Sequence, residues 1–369
     1  TVLRYIILGL ILAGLFQVFF WITQDNKVTL KQNATERFES LSYAPFEGYD
    51  KKVLSPEQIK EDISILIKHT NKVRTYATAD AKVILEVASK TNMMVDLGLW
   101  LSGDHEENHK EIQRGLEHLK KYPNNINNVI VGNETLLRTD LNEVELMAYL
   151  DFVKGFTKKP ITTAEVWHTL DKYPEIGNHV DFITVHFLPY WENVPIEQFN
   201  NFIIEKYSII EKKYPNKKIT IGETGWPSHG YNKNGAVPSL KNQAIAISNF
   251  IALAKEKNWS YNIVEAFDQP WKGYDEGNVG QYWGMFTSDR KIKFSLSGDT
   301  ILNQYWLYQM IAAIIIGAII TLFGLRNQRL NLNHALAYGI AAQGMAFGIV
   351  MDITYPFINY MNFGMWVMW

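Results

Sequence analysis

The stretch Lys218-Ile219-Thr220-Ile221-Gly222-Glu223-Thr224-Gly225-Trp226-Pro227-Ser228 decides the fold. Ile219, Thr220 and Ile221 read as a short buried strand, β-branched and bounded by turn residues. Two glycines and a proline then break it, with Glu223 at the point of breakage. A carboxylate at the C-terminal end of a barrel strand sits where (β/α)8 enzymes do their chemistry. Trp226, three residues on, offers a flat apolar face of the kind a sugar ring packs against. A solvated Glu closing a strand is the competing reading.

A second segment weighs against that competitor. Asn128-Val129-Ile130-Val131-Gly132-Asn133-Glu134 is another apolar run, ending in Gly-Asn-Glu. Two buried strands, each delivering one Glu at its tip, are what a retaining glycosidase requires. One carboxyl gives a proton to the leaving oxygen and the other attacks the anomeric carbon, with the pair ~5 Å apart.

Further segments extend the pattern in order: Val73-Arg74-Thr75-Tyr76, then Val185-His186-Phe187-Leu188-Pro189-Tyr190-Trp191, then Glu265-Ala266-Phe267-Asp268-Gln269-Pro270-Trp271-Lys272 with Gly280-Gln281-Tyr282-Trp283-Gly284-Met285-Phe286. The ordered set resembles glycoside hydrolase family 17, the β-1,3-glucanases, over roughly residues 40–295, and is most similar to its bacterial membrane-bound branch. The resemblance implies Glu134 as proton donor and Glu223 as nucleophile. Donation needs Glu134 protonated and attack needs Glu223 ionised. Asn133 is then placed to bond the sugar 2-OH. In the wider group a strand-6 aromatic hydroxyl orients the nucleophile; Tyr190 matches it, with His186 as neighbour. Arg74 would hold Glu223 ionised. Tyr43, Tyr76, Trp226, Asp268, Trp271 and Lys272 complete the implied sugar-binding set. No metal and no cofactor is implied.

Strands alternate with amphipathic helices at ~30-residue intervals, the pattern of parallel β/α units. The spacing predicts strands at 41–46, 73–76, 93–100, 128–133, 160–165, 181–187, 219–221 and 263–267. Helices are predicted at 79–89, 111–122, 144–156, 196–214 and 239–257. Another starts at Ser55-Pro56-Glu57-Gln58, with Ser as cap and Gln three residues on. The fold class is therefore α/β, a (β/α)8 TIM barrel flanked by transmembrane helices.

Tyr5 to Thr23 carries no charge and is long enough for a ~30 Å hydrocarbon core. Ile301–Leu325, Ala335–Met351 and Ile353–Trp369 are also uncharged. Arg4, Arg326 and Arg329 place both flanking loops on the cytoplasmic side and the barrel outside. Asp352 marks a boundary or an intramembrane site. The expected layout is an anchor at 1–24, a linker at 25–40, the barrel at 41–300 and a transmembrane helix at 301–325. A cytoplasmic loop at 326–334 and further membrane segments at 335–369 follow. The start at Thr1 and the apolar end at Trp369 suggest a trimmed fragment.

A net charge of −2 argues against nucleic acid as a partner. The absence of cysteine excludes disulfides and thiol nucleophiles. His105-Glu106-Glu107-Asn108-His109 fits a zinc-protease pattern, but follows a Ser-Gly-Asp turn, which suits a solvated helix start. Three functional readings stand: a glucan-remodelling transglycosylase at the outer face of a bacterial plasma membrane, a β-1,3-glucan hydrolase, and an inactive glycan-binding barrel. The expected partners are β-glucan, membrane lipid and a glucan synthase.

Overall fold

The computed structural model describes residues 2–23, 27–30, 37–296, 298–301, 305–325 and 332–359. Contacts divide the chain into two compact units, Leu30–Gly298 and a second made of Thr1–Thr29 with Asp299–Trp369.

The first unit is the barrel. Its parallel strands are β1 (Leu41–Ser42), β2 (Lys72–Arg74), β3 (Met94–Leu99), β4 (Ile126–Asn133), β5 (Ile161–Val166), β6 (Ile183–His186), β7 (Ile219–Thr224) and β8 (Ser260–Ile263). They close in chain order, with β8 returning to β1. Val95, Leu97, Val129, Val131 and Ile221 are fully buried, because helices cover one face of the sheet and side chains fill the lumen. The helix Pro56–Leu66 opens with the expected Ser55/Gln58 capping box, and Glu143–Lys154 opens with another from Asn142 and Glu145.

Three boundaries differ from expectation. The helix after β3 begins at His105, not Glu111, because the Asp104 side chain caps it by accepting from Glu106 N and Glu107 N. Its first turn is polar, so apolar spacing alone missed it. β8 lies at 260–263 rather than 263–267; its polar Ser260 and Asn262 hid a strand that serves a lumen network, where Ser40 Oγ donates to Asn262 Oδ1 at 2.7 Å. β1 is only two residues long, and Phe46–Glu47 pairs instead with Lys52–Val53 in a small hairpin.

The second unit holds three apolar helices: Val2–Thr23, Trp306–Leu325 and Leu332–Asn359. Two stretches, Trp306–Leu325 and Asn333–Thr354, are long and apolar enough to cross a membrane. Polar side chains link the helices. Gln17 Nε2 donates to Gln343 O and Gln309 Nε2 to Thr354 Oγ1 at 2.7 Å, while within the first helix Trp21 Nε1 donates to Gln17 Oε1 at 3.0 Å. The last helix runs unbroken through Asp352 and Pro356, where two spans were expected. Residues 360–369 and the Arg326–Arg329 link lie outside the described residues. So does half of the expected linker, within which Lys27–Leu30 is a strand paired with Gly298–Ile301.

Candidate active site

β4 and β7 both change register near their C-terminal ends, between Ile130 and Asn133 and between Ile221 and Glu223. Such bulges re-aim the side chains that follow. Two glycines make the bends. Gly132 has φ +82°, which L side chains rarely adopt, and at Gly222 a Cβ would collide with the Thr184 side chain. Glu134 itself takes φ +52°.

The bends bring Glu134 and Glu223 into one cavity of about 700 Å³. A carboxylate oxygen of each, together with a ring nitrogen of His186, lie within 4.8 Å of one another. A continuous hydrogen-bond network surrounds them. Arg74, 2 % exposed, donates through Nη1 to Gly222 O at 2.7 Å and through Nη2 to Asn133 Oδ1 at 2.5 Å. The same Nη1 is 3.1 Å from Glu223 Oε1 and 3.2 Å from His186 Nε2. Arg74 has only donors, so His186 Nε2 accepts and Nδ1 carries the proton. That Nδ1–H is 2.7 Å from Glu134 Oε1. The Tyr76 hydroxyl donates to Glu223 Oε1 at 2.8 Å and lies 2.9 Å from Ser42 Oγ.

Burial pushes the Glu223 carboxyl up, but the Arg74 guanidinium, the Tyr76 hydroxyl and Lys272 oppose it, and the net direction is down. Glu223 is thus held ionised. Lys272 bonds both oxygens of the buried Glu265 at 3.0 Å. Among the described residues, Glu134, His186 and Glu223 are the one set of side chains that could ligate a metal. The Arg74 guanidinium already puts positive charge against two of them, which disfavours a cation.

The expected residues divide into two groups. Tyr43, Tyr76, Asn133, Trp271 and Lys272 line the large cavity with the two glutamates. His186 lines an adjoining cavity of about 390 Å³ with Trp191 and Trp283, and Arg74 pairs with Glu223. Three residues serve elsewhere. Trp226 is fully buried, edge-on to Tyr190 and Phe199, and its Nε1 donates to Val237 O at 3.1 Å. It packs the barrel rather than a sugar, because the chain turns inward after Gly225. Tyr190 donates to Tyr231 O at 2.8 Å; the hydroxyl bonded to Glu223 is that of Tyr76, two residues after β2. Asp268 pairs with buried Lys293 at 2.7 Å and accepts from Gly284 N at 2.9 Å, tying loops together away from both cavities. The zinc-like histidines are engaged locally: His105 Nδ1 is 2.9 Å from the Tyr149 hydroxyl, and His109 Nδ1 is 2.6 Å from His105 O.

The sequence reading passed over two residues. Arg138 grips Asn133 O, Leu101 O and Asp140, bracing the turn after Glu134. Glu165, at the tip of β5, is fully buried and accepts from Leu136 N at 2.7 Å. Burial pushes its carboxyl up to about 7 against the Leu136 N–H, with Glu134 adding to the rise. An acid at a strand tip was the signal that singled out Glu134 and Glu223, and it applied here as well.

The profile of the family described as BtgE/BtgC glycoside hydrolase domain matches residues 40–284. The chain belongs to that family. It is therefore a glycoside hydrolase or transglycosylase. A "Glucan 1,3-beta-glucosidase" of Arthroderma benhamiae is 33% identical over 261 residues, covering 64% of this chain and 83% of that protein. The Saccharomyces cerevisiae protein of the same description is 24% identical over 274 residues, covering 66% and 86%. Among solved structures, a Rhizomucor miehei beta-1,3-glucanosyltransferase mutant in complex with laminaritriose superposes with a TM-score of 0.64. It is 27% identical and covers 70% of this chain and 97% of its own.

Proposed function

We propose that this family member is a retaining enzyme acting on β-1,3-glucan, with Glu134 as proton donor and Glu223 as nucleophile. The observation that carries the reading is the 4.8 Å limit on the separation of their oxygens. One oxygen of each carboxyl within that limit fits the ~5–5.5 Å spacing of a double displacement better than the ~6.5–9.5 Å of an inverting pair. A Glu223 oxygen attacks the anomeric carbon. The glycosidic C–O bond breaks as Glu134 gives its proton to the leaving oxygen. In the second step an incoming hydroxyl attacks the same carbon, passes its proton to Glu134 and releases Glu223. His186 orients Glu134 through Oε1, so Oε2 is the oxygen free to carry the proton. The fungal relatives' names and the laminaritriose bound to the solved relative support β-1,3-glucan as substrate.

The incoming hydroxyl belongs to water in hydrolysis and to a second glucan in transfer. The likeness to a glucanosyltransferase favours transfer. The apolar helices support a membrane-bound form, and the positions of Arg4, Arg326 and Arg329 favour a barrel on the extracytoplasmic side of a bacterial plasma membrane. There it would meet nascent glucan beside lipid and a synthase. Incubating the full chain with end-labelled laminari-oligosaccharides tests the reading. Longer products mean transfer and only shorter ones mean hydrolysis. Full activity in Glu223→Gln removes the mechanism altogether. Protease protection of the barrel in intact cells, with exposure after outer permeabilisation, tests the topology.

A further inference from the structure

One wall of the large cavity holds an arrangement that the mechanism does not use. Asp80, near the start of the helix Thr78–Ala88, and Trp100, just after β3, both line it. A single buried carboxylate fixes both walls. Glu111 Oε1 accepts from Thr78 N at 2.7 Å and from Trp100 N at 3.0 Å, while Oε2 accepts from Thr78 Oγ1 at 2.6 Å and Arg114 Nη2 at 2.8 Å. The Trp100 ring is 40% exposed yet held in place, with the Arg138 guanidinium 4.2 Å from its centroid. Arg138 is itself anchored by Asp140 Oδ2 at 2.8 Å and Leu101 O at 2.9 Å. The two walls are thus rigid before any ligand arrives.

Asp80, unlike Glu111, is left unanchored. It is half-buried, and among the described residues its carboxylate has neither a hydrogen bond nor an ion pair. Burial pushes it up to about 6, with Lys51 pulling it down and Glu111 adding to the rise. A carboxylate kept partly dry and unsatisfied accepts hydroxyl donors strongly. An indole ring beside it covers the C–H face of the same sugar.

We propose that Asp80 and Trp100 form a remote subsite that takes a neutral pyranose of the glucan chain and rejects a carboxylated one. The inference rests on the glucan-active reading above. Selectivity follows from charge. The cavity is lined by eight carboxylates and four basic side chains, two of which, Arg114 and Lys272, are already bound to Glu111 and Glu265. A uronic acid entering that field meets repulsion which glucose does not.

The test uses the full chain and β-1,3-gluco-oligosaccharides of increasing length, with a parallel set oxidised to carboxylate at C6. Wild-type kcat/KM climbs as the chain becomes long enough to reach the subsite. Asp80→Asn and Trp100→Ala flatten that climb by about tenfold, the worth of one charge-assisted hydrogen bond. Trp100→Phe, which keeps a ring, restores most of it. Asp80→Asn also narrows the preference for neutral over oxidised chains. Losses equal at every length, including the shortest, would overturn the proposal, as would an unaltered climb in both variants. A wild-type chain inert on all β-1,3-oligosaccharides would instead sink the parent reading, and this one with it.

Discussion

The imidazole Nδ1 of His186 lies 2.7 Å from Oε1 of Glu134. Its Nε2 accepts from Arg74, which is also the ion-pair partner of Glu223. One ring therefore stands between the two catalytic carboxylates and presents a different nitrogen to each side. Replacing it disturbs both at once. His186→Ala is expected to lower kcat by about a hundredfold or more, the scale of acid–base assistance. His186→Asn keeps a donor for Glu134 and recovers part of it. Steady-state kinetics on laminari-oligosaccharides read the difference, and equal activity in both variants would deny His186 this part.

Tyr76 and Tyr190 make opposite predictions. The Tyr76 hydroxyl helps hold the Glu223 carboxyl down, and attack needs the ionised form. Without it the carboxyl rises, so the acidic limb of the kcat/KM profile moves to higher pH. Tyr76→Phe should show that displacement with kcat about tenfold lower, one charge-assisted hydrogen bond's worth. Tyr190→Phe loses only a bond to Tyr231 O and leaves the limb in place. A pH–rate series on the two variants separates them.

Trp226 is expected to matter for folding rather than for substrate affinity. Trp226→Ala empties a site packed by Phe199 and Tyr190 and should cost about 3–5 kcal/mol. Denaturant titration measures that cost. A raised KM at unchanged stability would return Trp226 to the sugar cleft.

Glu165 gives a stability prediction with a definite sign. In the folded chain its carboxyl keeps its proton up to about pH 7, while the unfolded chain releases it at an ordinary ~4.3. Between those values folding takes up a proton. This contribution is full below the unfolded value and is lost as pH rises through the folded one. Glu165→Gln has no proton to lose. Its Tm should decline less than wild type between pH 5 and 8, by a few degrees. Parallel slopes would mean that Glu165 stays ionised in the fold.

Legibility followed backbone periodicity. β4 and β7 were readable because both faces of each strand are buried and the apolar run stops at a Gly before each Glu. β8 was not, because Ser260 and Asn262 are polar, and Asn262 bonds to Ser40 in the barrel interior. Strand tips gave the two glutamates, but not which aromatic reaches Glu223. That depends on barrel closure: β2 lies three strands from β7, and Arg74 at its end and Tyr76 just beyond reach across the lumen to Gly222 and Glu223. Sequence proximity favoured Tyr190 and Trp226, both of which turn into packing. Lys293, which neutralises Asp268, comes from 25 residues downstream, and no local pattern announces such a pair.

Arg74 has a consequence for the second half of the reaction. While Glu223 is a free anion, the buried guanidinium has a counter-charge at 3.1 Å. On the proposed mechanism, esterification to a glycosyl group removes that anion and leaves the cation without its partner in a poorly hydrated place. That cost falls on the covalent species, so the lumen arginine that would ready the attack would also hasten the release.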